Sequence, residues 1–411
     1  MQKLQVTVGL DIGTTKVAVC AGTIQEGIIN IIGFGSSPAS GVRKGIIIDI
    51  EETVSAVTAA LEEAERMSGS PITDAFVGIS NPQITCTISK GVIAISRADG
   101  EITETDVQRV IEAARAIALP PNYQIIDVIP RSFIIDGQTD INDPIGMTGI
   151  RLEVEAHVIG ASIPAIKTLS KCIEQSSLGI SDLTFSPLAS SYAILTKKQK
   201  EAGVALVDIG ASTTSVAIFE DGDLLYAGIL SIGSLHITND IAIGLRTSLD
   251  VAEKIKIKYG SATPTKFKET EMVDLKDFDS SEEEKISKKY IAEIVEARLS
   301  EIFAMVRSEL KKVGKDGMLP AGIVFTGGGS KIQGLLEAAK EELRLPAQIG
   351  YPHMEISGMI DKLDNPMYST SVGLMLWGMN HYNDLSQSKF DIGKMGGVFD
   401  KVKGIFRQFS A

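Results

Sequence analysis

The chain has 411 residues, 44% of them apolar and 22% charged, enough to close two large lobes and unlike a disordered or fibrous composition. A net charge of −12 excludes a nucleic-acid binder, which presents a basic face. No apolar run reaches transmembrane length, and Lys3, Gln5 and Asp11 interrupt the start, so no secretory signal is expected.

Alternating Leu4, Val6 and Val8 lead into Leu10-Asp11-Ile12-Gly13-Thr14-Thr15-Lys16, and the run Val17–Cys20 leads out, which reads as strand, turn, strand. More strand follows at Ile28–Ile32, then a helix over Glu52–Met67 with Val54, Val57, Leu61 and Ala64 on one face, then a strand Ala75–Ile79. An insertion, 82–160, holds strands at Gly91–Ser96, Ile125–Ile135 and Ile150–Gly160 and a helix Thr103–Leu119, with Thr103 and Asp106 as an N-terminal capping pair. It carries no cluster of catalytic residue types and reads as an interaction subdomain. The parent lobe resumes near Ala161 with a helix Pro164–Glu174, Pro164 suiting a first turn.

The opening pattern then recurs. Val204 and Leu206 lead into Val207-Asp208-Ile209-Gly210-Ala211-Ser212-Thr213-Thr214, followed by Val216–Phe219. Ser231-Ile232-Gly233-Ser234 turns into a helix, Ser261–Lys288 is polar and reads as a solvated loop, and Lys289–Val313 has apolar residues at helical core spacing. A strand Ile323–Thr326 runs into Gly327, Gly328, Gly329 and a helix Ile332–Leu343, and Asn383–Gly393 reads as a linker. The cysteines Cys20, Cys86 and Cys172 are widely spaced in apolar surroundings, which points to a reducing cytoplasm, and the four histidines show no metal-ligand spacing.

The repeated turn has a physical use. Its glycine lets backbone approach a ligand, and its N–H and hydroxyl groups make an anion-binding nest. Asp11 and Asp208 repel phosphate but can hold a divalent cation, Mg²⁺ keeping several waters and few carboxylates. Two such hairpins face to face would grip a nucleotide from both sides, through Gly13, Thr14 and Thr15 on one and Gly210, Ala211, Ser212 and Thr213 on the other. Gly233 closes the second nest, and Lys16 either adds charge or points to solvent. Self-similarity early and mid-chain implies two related lobes around a cleft. With the three glycines from Gly327, these elements resemble the phosphate-1, phosphate-2 and adenosine motifs of the actin/DnaK/sugar-kinase ATPases. The resemblance implies an α/β fold with two lobes built on duplicated ribonuclease-H-like cores, binding ATP and Mg²⁺.

Within that superfamily the chain resembles the FtsA family of actin-like division proteins over essentially its whole length. The match rests on Gly100–Val107, Ile129-Pro130, Asp136-Gly137, Asp143–Glu153, Ile237–Ala242 and Ala252–Gly260. It implies a first-lobe core (1A) over 1–81 and 161–199, the replacement subdomain 1C over 82–160, a second-lobe core (2A) over 200–235 and 319–382, and a helical subdomain (2B) over 236–318. Glu253 and Lys256 would flank the adenosine, with Gly327, Gly328 and Gly329 opposite. The implied partners are the tubulin-like protein FtsZ on 2B, further copies of the chain in an actin-like filament, and later division proteins through 82–160. The implied location is the cytoplasmic face of the membrane at the septum.

Two departures bear on activity. Ser234 stands where the family has a second glycine. Ser186 precedes Pro187 where DnaK-type chaperones carry an acid, and a serine without an adjacent base cannot deprotonate water, so weak or no hydrolysis is expected. A PilM-like pilus-assembly protein and a sugar-type kinase on the same fold are the alternatives; the kinase lacks a base beyond the two cation-site acids.

The final segment inverts the charge. Residues 389–411 hold five basic residues against two acids. As a helix over 394–411, Met395, Val398, Phe399, Val402, Ile405, Phe406 and Phe409 fall within an arc of about 120°, with Lys401, Lys403 and Arg407 on the polar side. Such a stripe could pack on the protein itself, but the preceding linker, the three phenylalanines and the basic charge favour a helix lying in the interface of anionic lipids.

Overall fold

In a computed structural model describing residues 6–387, apart from 26, 280–283, 353–355 and 359, the repeated motif becomes a repeated sheet. The strand Thr7–Ile12 pairs antiparallel with Lys16–Gln25, which pairs antiparallel with Ile28–Pro38; on its other side Asp74–Ile79 and then Gly179–Phe185 run parallel to it. The second sheet repeats that order: Val204–Ile209 pairs antiparallel with Thr214–Glu220, which pairs antiparallel with Asp223–Leu230, and on its other side lie parallel Ile323–Thr326 and Ala347–Ile349. This is the duplicated ribonuclease-H-like core of an actin-like fold. Alternation is lost in the central strands because both faces are covered: the consecutive Val17, Ala18, Val19 and Cys20 are buried, as are Ala205, Leu206 and Val207.

The insertion is a four-stranded sheet in the order Ile84–Ala94, Arg151–Ser162, Tyr123–Ile135, Gln138–Ile141. Its helix Glu104–Arg115 lies so close that a Cβ on Gly91 would stand 2.0 Å from the Val110 carbonyl oxygen. Asp106 accepts from the Thr103 N–H and hydroxyl at 3.1 and 2.7 Å, and the helix stops at Arg115, short of Leu119, ahead of Pro120 and Pro121. In the second lobe the helices Ser234–Leu245, Leu249–Tyr259 and Lys288–Lys312 share a core of Ile237, Ile241, Ile255, Ile291, Leu299 and Phe303.

Three expectations change. The polar stretch read as a loop contains a hairpin, Met272–Asp274 with Lys285–Ser287, because Val273 and Leu275 are buried among the helices. The helix after the three glycines begins only at Leu335, since Gly334 sits at φ +80 and Gly328–Lys331 forms a 3-10 turn. The range 319–382 does not stay with the second lobe: Ile356–Gly358 pairs with Ile29–Ile31 of the first sheet, and the helix carrying Leu374 and Met375 lies on that sheet, where a Cβ on Gly9 would stand 2.5 Å from the Met375 nitrogen. Their helix, Ser369–Gln387, also runs into the stretch read as a linker. The rest of that linker and the amphipathic helix over 394–411 lie outside the described residues.

Two helices cross beneath the hairpins. Ser186–Ile194 continues from the strand Gly179–Phe185, and Ser369–Gln387 passes over it at Gly373, where a Cβ would lie 2.1 Å from the Ala189 carbonyl oxygen. Neither backbone can yield without moving a lobe. Gly373→Ala is therefore expected to lower stability by about 1–3 kcal/mol, the usual cost of overpacking, read as a fall in melting temperature.

Candidate functional site

A cavity of about 470 Å³ opens between the two hairpin turns, within the size range of small-molecule sites. The turns are built alike: Gly13 N–H donates to Lys16 O and Gly210 N–H to Thr213 O, each at 2.9 Å. Asp11 pairs in register with Ala18 and Asp208 with Ser215, so both acids end their strands at the cavity. Gly13, Thr14, Thr15, Lys16, Gly210, Ala211 and Thr213 line it as well, and Gly327, Gly328 and Gly329 form another wall with Glu253 and Lys256.

Gly327 has to be glycine. Its φ is +81, and a Cβ there would stand 2.2 Å from Asp208 Oδ1. Gly328 meets only Met367, at 3.5 Å, which leaves a flat backbone surface suited to a planar group.

Two predicted residues do not line the cavity. Ser212, 5% exposed, is packed inside the turn. Gly233 supports the turn from behind, where a Cβ would lie 2.7 Å from the carbonyl oxygens of Gly210 and Ala211. The helix it starts spends its first N–H groups on that turn, Ser234 N–H donating to Gly210 O at 2.9 Å and Leu235 N–H to Ala211 O at 2.7 Å. Ser234, at the position of the missing glycine, does reach the cavity.

The charges are arranged unequally. Lys16 points to Asp11, 2.7 Å away, rather than to solvent. Burial, reinforced by the Asp11 charge and partly offset by Lys16, pushes the Asp208 carboxyl up to about 6. Among the described residues no three His, Cys, Asp or Glu side chains converge on a metal position. Asp11 and Asp208 thus fit a cation that draws its remaining ligands from water and phosphate oxygens, as Mg²⁺ does. On the far side Lys256 Nζ lies 2.7 Å from Glu253 Oε2, and burial lowers its pKa against the pull of Glu253.

Sequence reasoning passed over several hydroxyls. Ser80 from the first lobe and Ser215 from the second meet across the cleft at 3.1 Å, and Thr370 reaches Asp208 from the crossing helix. Thr238, buried between Glu253 and Lys256, belonged to a segment already noted for its family resemblance. Thr370 had no such signal, because the fold brings it from another lobe.

The Asp208 carboxyl titrates above its unfolded value near 3.8, so its ionisation opposes folding: stability is lost as pH rises from about 4 through about 6. In EDTA and without ligand, Asp208→Asn is expected to melt several degrees above the parent chain at pH 7. That gain should vanish at pH 3, where both side chains are neutral, and thermal melts over this range check it.

A family model described as "Cell division protein FtsA" matches residues 205–373, and one described as "SHS2 domain inserted in FTSA" matches residues 81–160. The proteins named Cell division protein FtsA from Pseudomonas aeruginosa and Borreliella burgdorferi are each 37% identical to this chain, covering 93% and 97% of it and 92% and 97% of themselves. The Escherichia coli K12 protein of that name is 33% identical over 92% of both chains. Among solved structures, the "PilM-PilN type IV pilus biogenesis complex" has a TM-score of 0.68 at 18% identity, covering 90% of this chain and 98% of its own. MreB5 of Spiroplasma citri bound to ADP has a TM-score of 0.55 at 15% identity, covering 93% and 99%. These two likenesses establish the actin-like fold.

Proposed function

The chain belongs to the FtsA family of cell-division proteins, and we propose that it serves there as an ATP-binding scaffold tethered to the membrane. The observation that carries the nucleotide reading is the pair of matched hairpins, each presenting one acid and one glycine turn to the same cavity. Asp11 and Asp208 hold Mg²⁺, whose charge offsets the strain of the buried Asp208 carboxylate. The hairpin turns take the phosphates, and the Gly327–Gly329 wall and Glu253 take the adenosine.

The scaffold polymerises in actin-like fashion, binds FtsZ through 236–318, and uses 82–160 for self-association and later division proteins. It sits on the cytoplasmic face of the membrane at the septum, held to anionic lipids by 394–411. The assignment of these partners to segments rests on the family resemblance. PilM shares the fold at 18% identity, whereas the division proteins match at about twice that over almost the whole chain, so the division reading is preferred. The kinase reading has no support in the cleft, whose acids beyond the hairpin pair reduce to Glu253, held by Lys256.

ATP acts mainly as a structural ligand. Ser186 lines the cavity, and its Oγ would lie 2.7 Å from a Cβ on Gly78, so it packs against a bare strand, and a serine hydroxyl is itself no base. Turnover is expected to stay below ~1 s⁻¹, the low end of ordinary enzymes; phosphate release at tens per second would contradict this.

Among the described residues no helix is long and apolar enough to cross a membrane. The tethering reading is tested by co-sedimentation with anionic vesicles, with and without ATP and FtsZ. The parent chain pellets with the vesicles and carries FtsZ down with it. Phe406→Glu and a truncation after Gly393 stay in the supernatant; full pelleting of either would remove the tail as anchor.

A further inference from the structure

A second cavity, of about 280 Å³, lies against the first and shares Ile12, Gly45, Gly78 and Ser80 with it as a common wall. The short hairpin Val42–Arg43 with Ile46–Ile47 forms one side. Its turn residues Lys44 and Gly45 both have positive φ, 51 and 71, as a tight two-residue hairpin requires. A Cβ on Gly45 would stand 2.9 Å from the Ser80 carbonyl oxygen, so the turn is laid directly on the chain as it enters the insertion. Asn81 follows on that entry. Ser162, at the exit from the insertion, caps the helix Ile163–Gln175, whose Ala165 and Leu169 close the cavity. Both connections between the insertion and the first lobe thus line one cavity.

The polar groups of this lining are only partly used. Asn81 is 4% exposed, and its Oδ1 accepts from the Gln83 N–H at 2.9 Å, which fixes the orientation of the amide. Its Nδ2 is left without an acceptor among the described residues, a costly state for a buried donor. The Ser162 hydroxyl makes no bond to its own helix, and the N-terminus of that helix favours partial negative charge. Among the described residues no Asp, Glu, Lys, Arg or His lines the cavity, whereas Ile46, Ile47, Ile79 and Leu169 do. An ion would lose its water here with nothing to pair it. A neutral acceptor would take the Asn81 donors, and an apolar body would cover the isoleucines. The volume lies just under the range of drug-sized sites, which suits a compact molecule of one ring.

We propose that this cavity is a second ligand site, for a small neutral molecule with an apolar body and one hydrogen-bond acceptor, seated at the root of the insertion. Such a ligand bridges the entry at Asn81, the exit at Ser162 and the hairpin turn at Gly45, and so fixes the insertion on the first lobe. The site stands independently of the nucleotide reading.

NMR of the full chain with labelled isoleucine methyl groups tests it, with acetophenone, ethylbenzene and benzoate as probes. The three present a ring with a neutral acceptor, with none, and with a charge. Acetophenone should shift the Ile46, Ile47 and Ile79 methyls saturably, and benzoate should bind at least tenfold more weakly. Above neutral pH, Asn81→Asp keeps the acceptor for Gln83 and deletes the donors. It should weaken acetophenone about tenfold, the scale of a lost hydrogen bond, and leave ethylbenzene nearly unchanged. Ala165→Leu fills the cavity from the helix and should abolish acetophenone binding while distant methyl signals stay those of the parent. The proposal is overturned if acetophenone leaves the three methyls unmoved, if benzoate binds as tightly, or if Ala165→Leu still binds. Equal effects of Asn81→Asp on acetophenone and ethylbenzene overturn it as well. Should Asn81→Asp fail to fold, the parent's ligand series and Ala165→Leu decide the matter.

Discussion

Gly373 lets the helix Ser369–Gln387 lie against Ser186–Ile194 at a separation no side chain would permit, and the geometry of the cleft depends on that crossing. Both helices begin directly under the hairpins, and hydroxyls tie the crossing to each lobe. Ser190 and Thr370 meet at 2.9 Å, and Thr326, at the end of a second-lobe strand, meets Ser369 at 2.8 Å. Gly9 continues the same theme, since a Cβ there would stand 2.3 Å from the Ser371 carbonyl. Small residues and hydroxyls at these points hold two sheets at a spacing that brings Asp11 and Asp208 to one cavity. The unfavourable placement of Asp208 is a result of that spacing: a carboxylate is buried near another, with Lys16 already committed to Asp11.

The insertion is bound to both lobes. It leaves the first lobe just after Ser80, which meets Ser215 of the second lobe across the cleft. Ile126, Ile129 and Ile159 of the insertion share one hydrophobic cluster with Leu224 and Ala227, which lie on the edge strand Asp223–Leu230 of the second sheet. That edge, which would otherwise be open to pairing, is shielded by the insertion. The surface presented by 82–160 is therefore seated on the same hairpin sheet that carries Asp208.

The hairpins were legible in the sequence because their determinants are local: strand alternation, a glycine turn and an acid at the strand end, written twice. The duplication pointed to two related lobes around a cleft, while register and sheet order come from the structure. The return of Ile356–Gly358 and Ser369–Gln387 to the first lobe could not be read that way, because it is decided by contacts such as Gly9 with Ser371, more than three hundred residues apart. The same limit explains the site. In sequence Gly233 reads as part of the phosphate nest, and only the fold shows that the group approaching it is the protein's own Gly210–Ala211 backbone. Thr238 looked like any helical threonine until the helix Leu249–Tyr259 packed beside it and supplied Glu253 and Lys256.

On the proposed nucleotide reading, the balance of charge in the cleft favours retention over turnover. Of the lysines lining the cleft, Lys16 is paired with Asp11 and Lys256 with Glu253, which leaves Lys258 and Lys331 for the charge that would develop on a transferring phosphate, the role catalysis would require. Asp208 is offset only in part, by the Lys16 charge and the Thr370 hydroxyl, and it calls for a cation in the ground state. A ligand bringing its own divalent cation relieves that cost on binding, but the relief is the same before and after any bond is broken. Interactions equal in ground and transition states tighten binding without raising the rate. On the function proposed above, with Ser186 offering no base, the residues of this cleft would hold the lobes together around a nucleotide, as a scaffold requires.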